Sequence, residues 1–164
     1  MAKNEAVFTK DLENRKLTVV RSFHAPVDRV WEAWTTAEIL DQWWAPKPYK
    51  AVTKSLDFRP GGRWLYAMTA PDGKKDWCRA NYQTIHEKKS ITSTDMFCDE
   101  EGNKIDTMPE MHWINTFIPG DNKTTVTTEI TYDKTADMET ILQMGFQEGY
   151  TMGLNNLEEY LAGK

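Results

Sequence analysis

TADMETILQMGFQEGYTMGLNNLEEYLA, residues 135–162, is the longest periodic stretch of the chain. At about 100° per residue, Met138, Ile141, Leu142, Phe146, Tyr150, Leu154, Leu157, Tyr160 and Leu161 sweep over more than half of a helix circumference. So broad an apolar arc does not suit a helix lying on a flat surface. It suits a helix gripped by a curved layer. Gly145, Gly149 and Gly153 recur every four residues and stack as a bare strip inside that arc. Each helix-interior glycine costs roughly 1 kcal/mol against alanine. The strip therefore predicts either close approach of a sheet to the helix backbone or space kept for another molecule.

Working outward, the remainder supplies the curved layer. Lys16 to His24 alternates apolar and polar residues and reads as a strand. Pro26 then stands at a helix start, and Val27, Val30, Trp31 and Trp34 share one helical face. Thr35 and Thr36 interrupt it, and Ile39, Leu40, Trp43 and Trp44 form the face of a second short helix that Pro46 and Pro48 end. Six further strands are expected at 49–58, 63–70, 76–85, 89–97, 111–118 and 124–132. The turn signals between them include Arg59-Pro60-Gly61-Gly62, Pro71-Asp72-Gly73 and Pro119-Gly120. Short turns joining consecutive strands imply an antiparallel meander. The expected class is α+β: a curved antiparallel sheet of about 6–7 strands wrapped around the long C-terminal helix. Residues 1–15 are expected to be a flexible lead-in with at most one short helix or strand. Residues 16–162 are expected to form a single domain.

Composition narrows the function classes. A chain of 164 residues with seven Trp, six Tyr and six Phe can bury one large core. Its formal charge is −5, and Lys and Arg form no basic stripe, which disfavours nucleic acid. There is no apolar run long enough for a membrane span and no signal-peptide pattern, so the expectation is a soluble cytoplasmic protein. Cys78 and Cys98 lack metal or redox spacing and are expected as reduced thiols.

The runs RSFHAP (21–26), VWEAWT (30–35) and WWAP (43–46) resemble the opening of the START-like (SRPBCC) superfamily. Within it they are similar to the branch named after the activator of the heat-shock-90 chaperone ATPase. DFRPGGRW (57–64) and MGFQEGY (144–150) resemble that branch's second signature and its C-terminal helix. The resemblance covers residues 16–162. It implies the helix-grip fold of the birch-pollen-allergen type, with a cavity between sheet and helix. It also implies a choice among lipid or hormone carriers, cyclases and chaperone partners. The chaperone activator carries a separate N-terminal binding domain for which this chain has no room, so chaperone interaction is the second expectation.

No P-loop, GxSxG, HExxH or dinucleotide fingerprint is present, and His24, His86 and His112 are scattered singly. No cofactor or metal is expected. Strand parity places Met111, Trp113, Asn115 and Phe117 on one face, Val126, Thr128, Ile130 and Tyr132 on another, and Trp64, Tyr66 and Met68 on a third. Asn115 would then be a buried amide whose partner is Thr128, a water or a ligand. Asp95 and Glu129 are expected to face solvent, and Asp57 with Arg59 to form a salt bridge. The expected ligand-binding residues are Trp34, Trp64, Tyr66, Tyr82, Trp113, Asn115, Phe117, Thr128, Met144, Phe146, Gly149, Tyr150 and Gly153. They outline an apolar pocket for a small hydrophobic or aromatic molecule. A third expectation is a cyclase- or hydrolase-like enzyme using His112 with Tyr66 or Tyr82. The pattern specifies neither the ligand nor the oligomeric state.

Overall fold

A computed structural model describes residues 5–163. Its sheet has eight antiparallel strands: β1 (Val7–Asp11), β2 (Lys16–Phe23), β3 (Lys50–Leu56), β4 (Arg63–Thr69), β5 (Lys75–His86), β6 (Ser90–Cys98), β7 (Met111–Gly120) and β8 (Lys123–Thr131). Their order is β1-β2-β8-β7-β6-β5-β4-β3. Two helices, α1 (Val27–Thr35) and α2 (Ala37–Trp43), carry the chain from β2 to β3 at the far edge. The meander then returns strand by strand until β8 pairs with β2. Register shifts at Thr53/Ser55 and Tyr82/Thr84 are bulges, which add local twist to an already twisted sheet.

The strand count exceeds the expected 6–7 because the one short element allowed for in residues 1–15 is a strand that joins the sheet. Val7 to Asp11 pairs with Lys16 to Val20 and adds an edge strand. Residues 1–4 of the expected lead-in lie outside the described residues. The two short helices therefore follow the second strand, not the first.

The long C-terminal helix is also corrected. It is two helices, α3 (Thr135–Gln143) and α4 (Phe146–Ala162). Gly145 between them has φ +87°, a left-handed conformation that an L side chain rarely adopts, so the helical path stops there. The glycine strip thus has mixed causes. At Gly153 a Cβ would lie 3.0 Å from the Trp44 carbonyl oxygen and 3.3 Å from that of Trp43. Asn156, one turn on, donates to the carbonyls of Trp43 (3.4 Å) and Ala45 (3.1 Å). Here α4 comes close to the end of α2 and satisfies carbonyls that a helix C-terminus leaves without intrahelical partners.

On the other side, β2 turns Leu17, Val19, Arg21 and Phe23 inward, in strict alternation. Arg21 is only 2% exposed, and its guanidinium donates to Asn155 Oδ1 (2.9 Å) and Glu158 Oε1 (2.8 Å) of α4. These two anchorages hold α4 against α2 and β2, near one end of the sheet. Trp34 packs on Trp43 (centroids 4.6 Å) and Phe117 (5.4 Å), filling the core under α1 and α2.

Candidate functional site

α4 packs chiefly on α1, α2 and β2 and is not held tightly against the inward face of β4–β6. There lies a cavity of about 590 Å³. Tyr66 and Met68 of β4, Cys78 of β5, Asp95 and Phe97 of β6, and Met111 and Trp113 of β7 form its floor. Trp44 and Pro46, after α2, close one side, and Ile141, Phe146, Gly149 and Tyr150 close another. Tyr49, Ile105 and Met144 line it while remaining solvent-exposed, and so mark its mouth.

The aromatic walls support one another. Trp44 lies against Tyr66, Trp113 and Tyr150 with centroids 6.0–6.4 Å apart. Trp113 meets Phe146 edge-on (5.9 Å), and Phe146 stacks on Tyr150 (5.5 Å). Behind them, Thr128 donates to Asn115 Oδ1 (2.6 Å) and its oxygen lies 3.0 Å from the Tyr150 hydroxyl. A threonine has one hydroxyl proton, so Tyr150 is the donor in the second bond. Trp44 Nε1 donates to the Tyr66 hydroxyl (2.9 Å), which in turn hydrogen-bonds the Cys78 thiol.

Asp95 is the charge-bearing group on this floor. It is paired across the sheet with Ala80 and Met111 and receives the Ser93 hydroxyl on Oδ1 (2.7 Å). Burial pushes its carboxyl up to about 7, opposed by the Ser93 hydrogen bond and the proximity of His112. Burial likewise raises Tyr66 and Tyr150, and pushes the Cys78 thiol up to about 12. Both phenols and the thiol are neutral at physiological pH. Asp95 alone among these floor and wall groups changes charge near neutrality.

Residues 24–162 match the family described as Activator of Hsp90 ATPase homolog 1-like protein. The chain belongs to that family. Among solved structures it is similar to protein Ms6760 from Mycobacterium smegmatis, at 31% identity and TM-score 0.88, over 95% of this chain and 96% of that one. A protein from Arthrobacter aurescens is 29% identical with TM-score 0.91, over 96% and 92% of the two chains. One from Staphylococcus epidermidis is 29% identical with TM-score 0.84, over 96% and 94%. No curated protein matches the sequence. The sheet and C-terminal helix have the helix-grip arrangement of this START-like branch.

In this family member, six of the residues expected at the site line the cavity together: Tyr66, Trp113, Met144, Phe146, Gly149 and Tyr150. The other seven do not line it. Trp34 and Phe117 belong to the core under α1, and Tyr82 packs on Phe58 (4.9 Å). Trp64 stacks behind Tyr66 (3.9 Å), and Gly153 is against the end of α2. Asn115 and Thr128 hold the Tyr150 hydroxyl from behind. Parity alone does not say how far along a strand the filled core gives way to the cavity.

One charged residue departs from its expected place, and the enzyme expectation loses its histidine. Asp95 faces the cavity, not solvent; Ile91 and Phe97 share its parity, which was the available signal. His112 is on the opposite face, with Nδ1 3.4 Å from Thr94 Oγ1 and Nε2 3.0 Å from Asp133 Oδ1. It cannot act on the cavity with Tyr66 or Tyr82. Glu110, His112 and Asp133 bring three metal-capable side chains within 4.8 Å, though no metal was expected from the scattered histidines. Trp44, which the sequence places on the face of the second short helix, forms a cavity wall. Glu129 does reach solvent, beside Lys16 (3.6 Å), and Arg59 bridges Asp57 (2.8 Å). Both cysteines are unpaired. Among the described residues, no helix is long and apolar enough to cross a membrane.

Proposed function

We propose that this protein binds a small hydrophobic or aromatic molecule in the cavity beneath α3 and α4. The observation that carries the reading is the aromatic, largely apolar cavity of about 590 Å³ with a few converging polar groups. Small-molecule sites have that composition, and their volumes run from about 300 to 1,000 Å³. The rings around it are held by hydrogen bonds and by one another, so the site is formed before anything enters. The binding role is non-enzymatic in this reading, and two unpaired thiols suit a reducing cytoplasm. The family description supports a second reading, an interaction module acting on a chaperone ATPase.

Native mass spectrometry of freshly purified protein, compared with its denatured mass, tests the first reading. An added mass lost on denaturation is the expected result. A chain that carries no added mass and binds no member of a panel of aromatic probes would refute it, and weight would pass to the interaction module.

A further inference from the structure

The cavity holds a carboxyl group without a partner cation. One Asp95 oxygen accepts from Ser93, and the other accepts no hydrogen bond among the described residues. Buried carboxylates are ordinarily paired, because leaving water costs several kcal/mol that only an opposing charge or hydrogen bonds restore. The groups within electrostatic reach of Asp95 on the cavity side are the Tyr66 hydroxyl from β4, Cys78 and Tyr82 from β5, and Tyr150 from α4; from the other side of the sheet His112 also acts on it. The four on the cavity side are neutral acids. His112 from β7 lies behind the sheet, held by Thr94 and Asp133. At the mouth stand Asp76 and Lys75, and the Lys75 ammonium sits 6.0 Å from the Trp77 ring centroid. Every other wall near the carboxyl is aromatic or aliphatic.

Aromatic faces carry the negative part of the ring quadrupole. A carboxylate beneath such faces, with no basic side chain beside it, makes a cavity whose potential favours positive charge. An anionic ligand would be placed against Asp95 and against those faces. Resting on the small-molecule reading above, we propose that the ligand is an organic cation: an ammonium group on an apolar frame. The ammonium pairs with the free oxygen of Asp95, and the frame lies among Trp44, Tyr66, Trp113 and Tyr150. The empty cation position is filled by the ligand, and specificity arises from the pairing of its charge with Asp95 inside an otherwise apolar wall.

The charge of Asp95 gives the proposal a signed pH dependence. A permanent cation selects the carboxylate, so its affinity rises with pH through the carboxyl's titration near 7. With ionised fractions of roughly one in eleven at pH 6 and ten in eleven at pH 8, the apparent affinity falls about tenfold between pH 8 and pH 6. A ligand that instead needs protonated Asp95 shows the opposite slope.

The test uses three probes on one frame: naphthylethylamine, naphthylethanol and naphthylacetate, titrated calorimetrically against the full chain at pH 6, 7 and 8. The amine is expected to bind at least tenfold more tightly than the alcohol at pH 8, and the acid most weakly. In Asp95→Asn the preference for the amine over the alcohol should fall below about threefold, with the alcohol's affinity unchanged. If the Asn variant misfolds, the pH series on the native protein carries the test. Alcohol or acid binding as tightly as amine, or an amine affinity that falls as pH rises, would overturn the cation assignment and leave the cavity reading standing. No binding by any of the three would overturn both.

Discussion

Replacing Asp95 with Asn should stabilise the empty protein, and by an amount that depends on pH. Its carboxyl rises from 3.8 unfolded to about 7 folded, so the folded state holds its proton more tightly. Stability therefore falls as pH rises from about 4 to about 7, and is flat above. The difference between 3.8 and about 7 corresponds to a ceiling of about 4 kcal/mol. Asp95 is half-buried and faces an open cavity, where water relieves part of that penalty, so about 2–4 kcal/mol is the expected loss. Asn keeps the shape and the acceptor for Ser93 but carries no charge. Urea unfolding followed by tryptophan fluorescence should show Asp95→Asn about 2–4 kcal/mol more stable than the native chain at pH 8. At pH 4.5 the difference should have shrunk to about 1 kcal/mol or less, because the carboxyl there is protonated in the folded state and only partly protonated in the unfolded one. A difference that is independent of pH, or larger at pH 4.5, would refute the account of Asp95 as a desolvated, unpaired carboxyl.

The glycines separate cleanly. Gly153→Ala should cost about 1–3 kcal/mol in the same assay, because its Cβ meets the Trp43 and Trp44 carbonyls. Gly149→Ala should be neutral or about 1 kcal/mol stabilising, since its Cβ meets only Pro46 Cγ at 3.7 Å; equal losses at both sites would contradict the packing described. Gly145→Ala should lose about 1 kcal/mol from the left-handed backbone alone, read as a lower urea midpoint with unchanged slope. Glu158→Ala leaves the buried Arg21 with Asn155 as its side-chain partner and should cost about 1.5–3 kcal/mol, more than an exposed ion pair would. An unchanged midpoint in 1 M salt and after substitution would show that this contact does not anchor α4.

Much of the fold is legible because period and punctuation act locally. All seven strands expected from alternation occur, as do both tandem helices, and the buried faces of β7 and β8 follow parity residue by residue. The bond from Thr128 to Asn115 follows from that parity too, since the two are register partners. Val7 to Asp11 was harder to see. It is an edge strand whose residues are mostly exposed, so it carries no apolar alternation. The apolar arc of 135–162 is continuous across Gly145, so periodicity alone could not show the break; the positive φ is a backbone choice that any glycine can make.

The sequence by itself determined the α+β class, the curved meander and the parity of the inward faces, because each rests on near-neighbour periodicity, and its motifs carried the family. Only the tertiary structure decided where the core stops and the cavity begins. That boundary is set by how far α4 is drawn toward α2 and β2, through Gly153, Asn156 and Arg21. It is also what turns Asp95 from one polar residue in an alternating strand into the charge-bearing group on the floor of an aromatic cavity. Burial and electrostatic surroundings are properties of distant segments brought together, and no local pattern encodes them.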